Sequence, residues 1–271
     1  MEAKKIATRD GFGEAIVELG RENGNVLVVD IDIGKSCKTA AFGSMRICEM
    51  IRQEICYPNL NVKIACSHGG LTPANDGASH QCIEDMGILR TLPNMTVVMP
   101  ADYNAAKALV KETAAYYGPM YLRFTRDAVP QIYGEDAKFE IGKANMLRDG
   151  RDVAIIANGD TVCIALDAAK ALEAKGISAR VLDMHTIKPL DIDAVNACIE
   201  DTGRIITVED HNILNGLGSA VADVVAESGK AVLRRVGVQD QFGQSAPYER
   251  LLEMNGITVD NIVKQAVELR K

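Results

Sequence analysis

The sequence contains no tryptophan, and aromatic residues make up only 4% of its 271 residues. Hydrophobic residues nevertheless amount to 47%, so the core must be built from Val, Ile, Leu, Ala and Met. This apolar fraction, together with 25% charged residues, excludes an intrinsically disordered chain. The length favours two domains of ordinary size.

Long apolar runs and clusters of basic residues are also missing. No stretch of about 18 apolar residues occurs, and none follows the charges of the N-terminal MEAKKIATRDGFGEAI. The sequence therefore predicts neither a membrane span nor a signal peptide. With a formal net charge of -7, nucleic acid is a poor candidate as a partner. Local arginines can still bind an anionic small molecule.

The seven cysteines form no CxxC pair, and their number is odd. These features argue against a disulfide framework and against a zinc site, so we predict no metal ligands in this chain. Reduced thiols within a core are the better interpretation, and they favour a cytoplasmic protein.

Short apolar runs alternate with helical patterns along the first half of the chain. We predict strands at Asn25–Asp32, Val62–His68, Met95–Ala101 and Met120–Arg126, with helices at Phe42–Tyr57, Ser79–Leu89 and Tyr103–Tyr117 between them. Runs that are apolar on both faces are typical of buried parallel strands. The alternation predicts an α/β domain over residues 1–126, with an open, mostly parallel sheet flanked by helices.

Proline, glycine and charged residues interrupt this pattern over residues 127–150, which we interpret as a linker with one short strand. The alternation then resumes with strands at Asp152–Asn158, Ala179–Asp183, Arg204–Val208 and Ala231–Val238, and helices at Val162–Lys175, Gly216–Ser228 and Val259–Leu269. Residues 151–271 are therefore predicted to form a second, smaller α/β domain with its own open, mostly parallel sheet.

In open α/β sheets, ligands bind beyond the carboxyl ends of the strands. The polar residues predicted there are Asp30, Asp32, His68 and Arg126. An arginine fork binds phosphate or carboxylate in bidentate fashion, although Arg126 could instead pair with Asp127 or another acid. Arg9, which precedes the first predicted helix, lies either near such an anion site or on the surface.

The segment Ser67–Asp85, SHGGLTPANDGASHQCIED, contains two of the four histidines and three glycines. This density of glycine and polar groups favours a binding loop between a strand and a helix. Asp76-Gly77 is a turn signal, and Ser79 is a candidate N-cap. One histidine alone would favour a loop hydrogen bond, whereas His68 and His80 together favour proton transfer.

The polar residues of the second half give weaker indications of a functional site. Gly216-Leu217-Gly218-Ser219 resembles the start of a dinucleotide-binding fingerprint, but its third glycine position holds Val221, so tight helix packing is the better interpretation. His185 and His211 are interpreted as structural. Glu209-Asp210 is interpreted as a solvated edge.

Several segments together resemble the C-terminal half of transketolases, in the form that is split over two genes. The resemblance covers almost the whole chain and is densest over Ile51–Pro100 and Tyr121–Arg126. The other matching segments are IATRDG at Ile6–Gly11, VVDIDIGKSCKT at Val28–Thr39 and VEDHNILNGLGSA at Val208–Ala220.

The resemblance implies a pyrimidine-binding domain and a transketolase C-terminal domain. It implies a thiamine-diphosphate enzyme that moves a two-carbon ketol unit between sugar phosphates. In this family the cofactor lies between domains of opposite subunits. The domain that holds the diphosphate and Mg²⁺ is not in this chain, so an N-terminal partner subunit is implied. An α₂β₂ complex is the expected assembly.

Site residues are also implied by the resemblance, position by position. His80 matches the histidine that assists proton transfer near the sugar hydroxyls, and Asp76 matches an acid that contacts a substrate hydroxyl. The sugar phosphate is expected to be bound by Arg9, Ser36, His68 and Arg126. The cofactor is expected to contact Asp32 and, through an aromatic ring on the pyrimidine, Phe42.

The sequence departs from the family between Thr39 and Phe42. Here the family has about 40 more residues, including a central strand, an interface helix and a G-I-A-E-Q-N motif, whose loss would damage a layered α/β fold. In the family, the motif's glutamate hydrogen-bonds the cofactor's aminopyrimidine nitrogen. Either the protein has a further segment at this point, which the packing argument favours, or the deletion is genuine.

Three functions remain open at this point. ICYPNLNVKI and the SHGGLT loop favour a transketolase subunit over a half of a deoxyxylulose-phosphate-synthase-like or ketoacid-dehydrogenase-β-like enzyme. A genuine loss of the glutamate would instead favour a catalytically impaired partner or scaffold protein.

Overall fold

The computed structural model describes residues 5–25 and 45–271. Asp30, Asp32, Ser36 and Phe42, and the junction after Thr39, lie outside the described residues. The same holds for the predicted strand Asn25–Asp32, apart from its first residue.

The first sheet contains three parallel strands from the first half of the chain: β2 (Lys63–Cys66), β3 (Thr96–Val98) and β4 (Met120–Arg123). Their order is β2-β4-β3, and every residue of β3 and β4 is buried. A later strand, β9 (Thr186–Lys188), adds to β3 in the antiparallel direction. The predicted parallel α/β arrangement is therefore confirmed, although β9 was not predicted.

Two long helices pack together on this sheet: α1 (Thr8–Glu22) and α4 (Tyr103–Ala115). Small buried residues such as Ala15, Ala105 and Ala106 share a cluster with the strand residues Val98 and Leu122. Asp102 caps α4 by accepting a hydrogen bond from the backbone N–H of Ala105 at 2.7 Å. Arg9 lies within the first turn of α1, not ahead of the helix as the sequence predicts.

The helix predicted at Ser79–Leu89 is much shorter than expected. It begins at Asp85 and ends at Arg90 (α3), so Ser79 is not its N-cap and that prediction is wrong. The reason is a backbone bridge: Gly70 N–H donates to Cys82 O at 2.7 Å, and Cys82 N–H donates to Gly70 O at 3.1 Å. This bridge holds residues 70–82 as a closed loop.

The helix predicted at Phe42–Tyr57 is described from residue 45 onwards. It comprises α2 (Cys48–Met50) and a π-helical stretch, Ile51–Cys56, that follows it directly. Its C-terminal end therefore lies one residue before the predicted one.

The segment 127–150 contains two short strands where the sequence predicts one. β5 (Ala128–Pro130) pairs in antiparallel fashion with β1 (Lys5–Ala7). β6 (Asn145–Arg148) joins the sheet of the second half through an antiparallel pairing with β8 (Ala179–Asp183).

The second sheet has the order β11-β10-β7-β8-β6. Its parallel strands are β7 (Val153–Ala157), β8, β10 (Arg204–Asn212) and β11 (Val232–Val238). β7 and β8 are buried along their whole length. β7 has the continuous apolar sequence of a buried strand, whereas β8 includes the charged residues Arg180 and Asp183. β10 extends four residues beyond its predicted end.

The helices of this half are α5 (Thr161–Glu173), α6 (Ile192–Thr202), α7 (Leu217–Ser228), α8 (Tyr248–Met254) and α9 (Val259–Leu269). The sequence prediction included α5, α7 and α9 but not α6 or α8. One buried apolar cluster contains Val97 and Tyr121 of the first sheet and Ile156 and Leu182 of the second. The two sheets therefore share a continuous core.

Within residues 5–25 and 45–271, no helix is both long enough and apolar enough to cross a membrane.

Candidate active site

Two arginines are brought together by a pair of threonines. Thr8 Oγ1 lies 3.0 Å from Thr125 Oγ1 and accepts a hydrogen bond from the backbone N–H of Thr125 at 2.9 Å. Arg9 and Arg126 directly follow these threonines. The start of α1 is therefore joined to the carboxyl end of β4, where a parallel sheet places ligands.

Arg126 is held by the loop 70–82. Its Nη1 lies 3.0 Å from Asp76 Oδ2 and donates to the carbonyl of Pro73 at 3.0 Å. The two charged side chains are 29% and 31% exposed, so they are reachable from solvent. The sequence left Asp127 or another acid as a possible partner of Arg126, and the ion pair in the structure is with Asp76.

The pKa of the Asp127 carboxyl depends on the charged groups around it. Burial raises the pKa of its carboxyl and Glu249 raises it further, whereas Arg126 and Arg9 lower it. Both arginines are therefore close enough to act on one carboxyl group. Arg9 itself is 44% exposed and lies 4.0 Å from Asp10, its neighbour in the chain.

His80 lies in the same loop as Asp76. Its backbone N–H donates to Gly77 O at 3.0 Å, and its Nδ1 lies 3.0 Å from Ser79 Oγ. The side chain is partly exposed. The loop therefore brings an imidazole and a carboxylate to the side of the sheet on which Arg126 lies.

His68 lies at the end of β2, next to the end of β4. Its neighbour Gly69 donates a backbone hydrogen bond to Phe124 O at 3.3 Å. His68 is only 2% exposed, has a positive φ of 63°, and its Nδ1 lies 2.8 Å from Ser67 Oγ. It is far less accessible than Arg9 and Arg126.

Sequence reasoning missed a buried ion pair beneath this site. Arg123 and Asp85 are both fully buried, with 2.9 Å between Nε and Oδ2. Tyr121 donates to the same carboxylate oxygen at 2.7 Å. The guanidinium also donates to the backbone carbonyls of Cys82 and Asp210, each at 3.0 Å. The only sequence signal was a charged residue inside the apolar run MYLRF.

Glu209 and Asp210 are fully buried, so the prediction of a solvated edge is wrong. Both Asp210 oxygens accept from the backbone N–H of Leu71, at 3.1 and 3.0 Å. Tyr248 donates to Asp210 at 3.2 Å and also to Asp160. Burial and the nearby Asp160 raise the pKa of Asp210 to about 7. The second sheet thus contacts the start of the loop 70–82.

Glu209 occupies the N-terminus of α7. Its carboxylate accepts from the backbone N–H groups of Leu217 and Gly218 at 2.7 and 2.8 Å. A Cβ on Gly216 would lie 2.1 Å from Glu209 Oε2, so glycine is required there by close approach. The amides that a dinucleotide phosphate would use are therefore occupied, which agrees with a packing role for the GLGS segment.

The two histidines of the second half are buried as well. His211 Nε2 accepts from the backbone N–H of Gly87 at 3.2 Å, and Nδ1 lies 2.6 Å from Asn212 O. His185 Nδ1 lies 3.0 Å from Thr186 Oγ1. Burial lowers the pKa of each imidazole to about 4. Neutral, buried rings with protein partners are typical of structural histidines.

Two family models match the chain, and together they cover most of it. The transketolase pyrimidine-binding domain matches residues 41–131, and the transketolase C-terminal domain matches residues 142–262. The first match begins close to the junction at which the sequence departs from the family.

Curated relatives give the same result. The putative transketolase C-terminal section of Methanocaldococcus jannaschii is 38% identical, over 97% of this chain and 96% of the relative. That alignment extends over 306 positions although the chain has 271 residues, so at least 35 positions have no counterpart here. A 6-deoxy-6-sulfo-D-fructose transketolase subunit of a Clostridium species is 40% identical over 84% of the chain and 71% of the relative.

A solved structure also matches along its whole length. It is a split-gene transketolase described as an inactive β4 tetramer, with 39% identity, a TM-score of 0.91, and coverage of 98% of both chains. The length of the matches, the sequence identity and the shared fold all point to the same family. The chain belongs to the transketolase family, in which it corresponds to the C-terminal subunit of a split enzyme.

Proposed function

We propose that this chain is the C-terminal subunit of a thiamine-diphosphate-dependent transketolase, which transfers a two-carbon ketol unit between sugar phosphates together with an N-terminal partner. The observation that carries the proposal is the ion pair between Arg126 and Asp76 at the end of β4, in a loop that also contains His80, with the Thr8–Thr125 contact joining the start of α1, where Arg9 lies, to the same strand end. Two cations, a carboxylate and an imidazole suit a ligand with a phosphate at one end and hydroxyls along its length.

Arg126 has the donors that phosphate recognition needs. Its contacts to Pro73 and Asp76 both use Nη1. Among the described residues, Nε and Nη2 have no hydrogen-bond partner, and such a pair of parallel N–H groups binds phosphate in bidentate fashion. Arg9 adds a second positive charge, and we propose that His68 and Ser36 complete the phosphate site.

Asp76 and His80 are proposed to act on the sugar hydroxyls. A carboxylate that is already paired with Arg126 can accept a hydroxyl proton in a hydrogen bond while it also orients the arginine. His80 uses Nδ1 toward Ser79, which leaves Nε2 as the atom that can exchange a proton with the substrate. Proton transfer of this kind requires hydrogen-bond reach in the bound complex.

The family's G-I-A-E-Q-N glutamate has no counterpart between Thr39 and Phe42 in this sequence. The described acids that are at most 4% exposed are Asp85, Asp102, Asp160, Asp183, Glu209 and Asp210, and each accepts a hydrogen bond from this chain. We therefore derive no step through thiamine diphosphate. Asp32 and Phe42 remain its proposed contacts in this chain.

The partner subunit is proposed to bind the diphosphate and Mg²⁺. The name of the Clostridium relative, a transketolase subunit, and the split gene of the solved relative support a two-chain enzyme. An α₂β₂ complex is the arrangement we propose. The six free cysteines of the described residues support a reducing compartment, the cytoplasm.

The proposal is tested by reconstitution. The chain, with and without the family's missing segment inserted after Thr39, is mixed with the N-terminal subunit, thiamine diphosphate and Mg²⁺. Ketol transfer between pentose phosphates is expected only when both subunits are present. Transfer by the segment-containing form alone would contradict the need for a partner.

Two outcomes would favour the alternatives. Turnover of pyruvate, without ketol transfer, would indicate a deoxyxylulose-phosphate-synthase-like or ketoacid-dehydrogenase-like half. A purified chain of 29.2 kDa that binds the partner but supports no transfer would indicate a scaffold with a genuine deletion. A clearly larger intact mass would show that the protein contains the additional segment.

A further inference from the structure

The loop 70–82, which contains Asp76 and His80, is held by residues of the second half of the chain. At its start, Leu71 N–H donates to both oxygens of the buried Asp210. Gly70 has a φ of +65°, and a Cβ there would lie 2.2 Å from Asp210 Oδ2. Glycine is therefore required for this close contact.

The tip and the end of the loop are held by the connection between β11 and α8, residues 239–247, which we name the strap. Ser245 Oγ donates to the carbonyl of Asn75 at 2.6 Å, one residue before Asp76. Gln81 Nε2 donates to the carbonyl of Gln244 at 2.9 Å. The strap thus contacts the loop on both sides of the Asp76–His80 segment.

The strap has no regular secondary structure, so no ladder of backbone hydrogen bonds fixes it. Phe242 is 86% exposed, and Gly243 lies so close to Gln81 that a Cβ would come within 1.6 Å of Gln81 Oε1. The contacts to the loop are therefore an important part of what orders both segments. A change in the strap is transmitted to the carbonyl next to Asp76.

We propose that the strap positions Asp76 and His80 for the sugar phosphate, with Ser245 as its main positioning residue. This inference rests on the proposed function, in which those two residues contact the substrate. It assigns a role in substrate binding to the second half of the chain, which contributes no residue to the proposed site. Ser245 contacts the loop at the carbonyl of Asn75, so it acts through Asp76.

Ser245→Ala removes one hydroxyl and leaves the backbone unchanged. Ser228→Ala is the matched control, because Ser228 Oγ also donates to a main-chain carbonyl, that of Val225, at 2.9 Å. Gly243→Ala perturbs the strap sterically, with Gly134→Ala as its control, since a Cβ at Gly134 would meet nothing within 4 Å.

The first readout is hydrogen exchange of the peptide 69–82 in the full chain, without partner or substrate. Exchange in S245A and G243A is expected to be faster by roughly two- to tenfold, the range that one lost net hydrogen bond gives. S228A and G134A should match the parent. Unchanged exchange in both strap variants would overturn the inference, whether or not the reconstituted enzyme is active.

The second readout is kinetic, in the reconstituted complex with ribose 5-phosphate as acceptor. KM is expected to rise by about two- to tenfold in S245A, with a smaller change in kcat, because binding geometry is lost before chemistry. Faster exchange with an unchanged KM would reduce the strap to a structural role and overturn the positioning claim. An inactive parent complex would refute the proposed function instead, while the exchange result still decides whether the strap holds the loop.

Discussion

Replacing Arg123 by methionine tests the account of how the two halves of the chain are joined. Arg123 is fully buried, and its guanidinium contacts Asp85, the carbonyls of Cys82 and Asp210, and the sulfur of Met99. Methionine fills a similar volume but makes none of these bonds. The Asp85 carboxylate would then remain in the core with only the Tyr121 hydroxyl as a hydrogen-bond donor.

The expected loss of unfolding free energy is large because the Asp85 charge is left without its cation. Removing one partner of a buried ion pair costs about 3–5 kcal/mol. For a chain of this size, each kcal/mol lowers the melting temperature by roughly 2–4 °C, so Tm should fall by about 6–20 °C. Lys170→Met is the surface control: its pair with Asp167, at 2.9 Å, is exposed and should contribute no more than about 0.5 kcal/mol.

Urea unfolding of the chain, followed by circular dichroism, measures these differences. Asp85→Asn in the Arg123→Met background removes the stranded charge, so the double variant should be more stable than R123M alone. A loss below about 1 kcal/mol in R123M, or a double variant that is less stable than R123M, would refute a charged, energetically coupled pair in the core.

Three further predictions concern the site, its pH dependence and α7. Arg126→Ala should raise KM for phosphorylated sugars by about 10- to 100-fold, the effect of losing charge-assisted hydrogen bonds, while unphosphorylated sugars change little; equal effects on both would argue against a phosphate contact. Burial raises the pKa of Asp183 to about 7, so the parent loses stability as pH rises from about 4 through 7, and Asp183→Asn should gain stability relative to the parent over that same interval in urea unfolding. A constant difference would show that the carboxyl ionises normally. Gly216→Ala should destabilise the chain by about 1–3 kcal/mol because its methyl group meets Glu209, whereas Gly13→Ala, with open space around it, should be neutral or stabilising; similar urea midpoints for the two variants would contradict the close contact.

The layered α/β fold could be predicted because its strands are buried on both faces. β7 has a continuous apolar sequence, and β8 (Ala179–Asp183) was predicted with its observed bounds although it contains Arg180 and Asp183. Val259–Leu269 was also predicted to the residue, since its apolar residues recur with helical spacing. The short strands β1 and β9 were missed, and residues 127–150 contain one strand more than predicted, because segments of three or four residues show too little periodicity.

The site could be predicted only in part, for reasons of tertiary structure. The density of glycine and histidine predicted a binding loop in this region. The Gly70–Cys82 bridge, which extends the loop so that α3 begins only at Asp85, could not be predicted because it depends on a tertiary pairing. Arg123 and Asp210 were missed or placed on the surface, because charged residues are rarely fully buried unless they are paired. Arg123 pairs with Asp85, 38 positions away, and Asp210 accepts from Leu71, 139 positions away, so neither contact has a local sequence signal.

Isotope transfer in the reconstituted enzyme tests the central claim most directly. A ketose phosphate with ¹³C at carbons 1 and 2 is supplied with an unlabelled aldose phosphate to the chain and its N-terminal partner. The account predicts that both labelled carbons appear together at carbons 1 and 2 of the lengthened product. Labelled carbon that stays in the donor while pyruvate is consumed would contradict it.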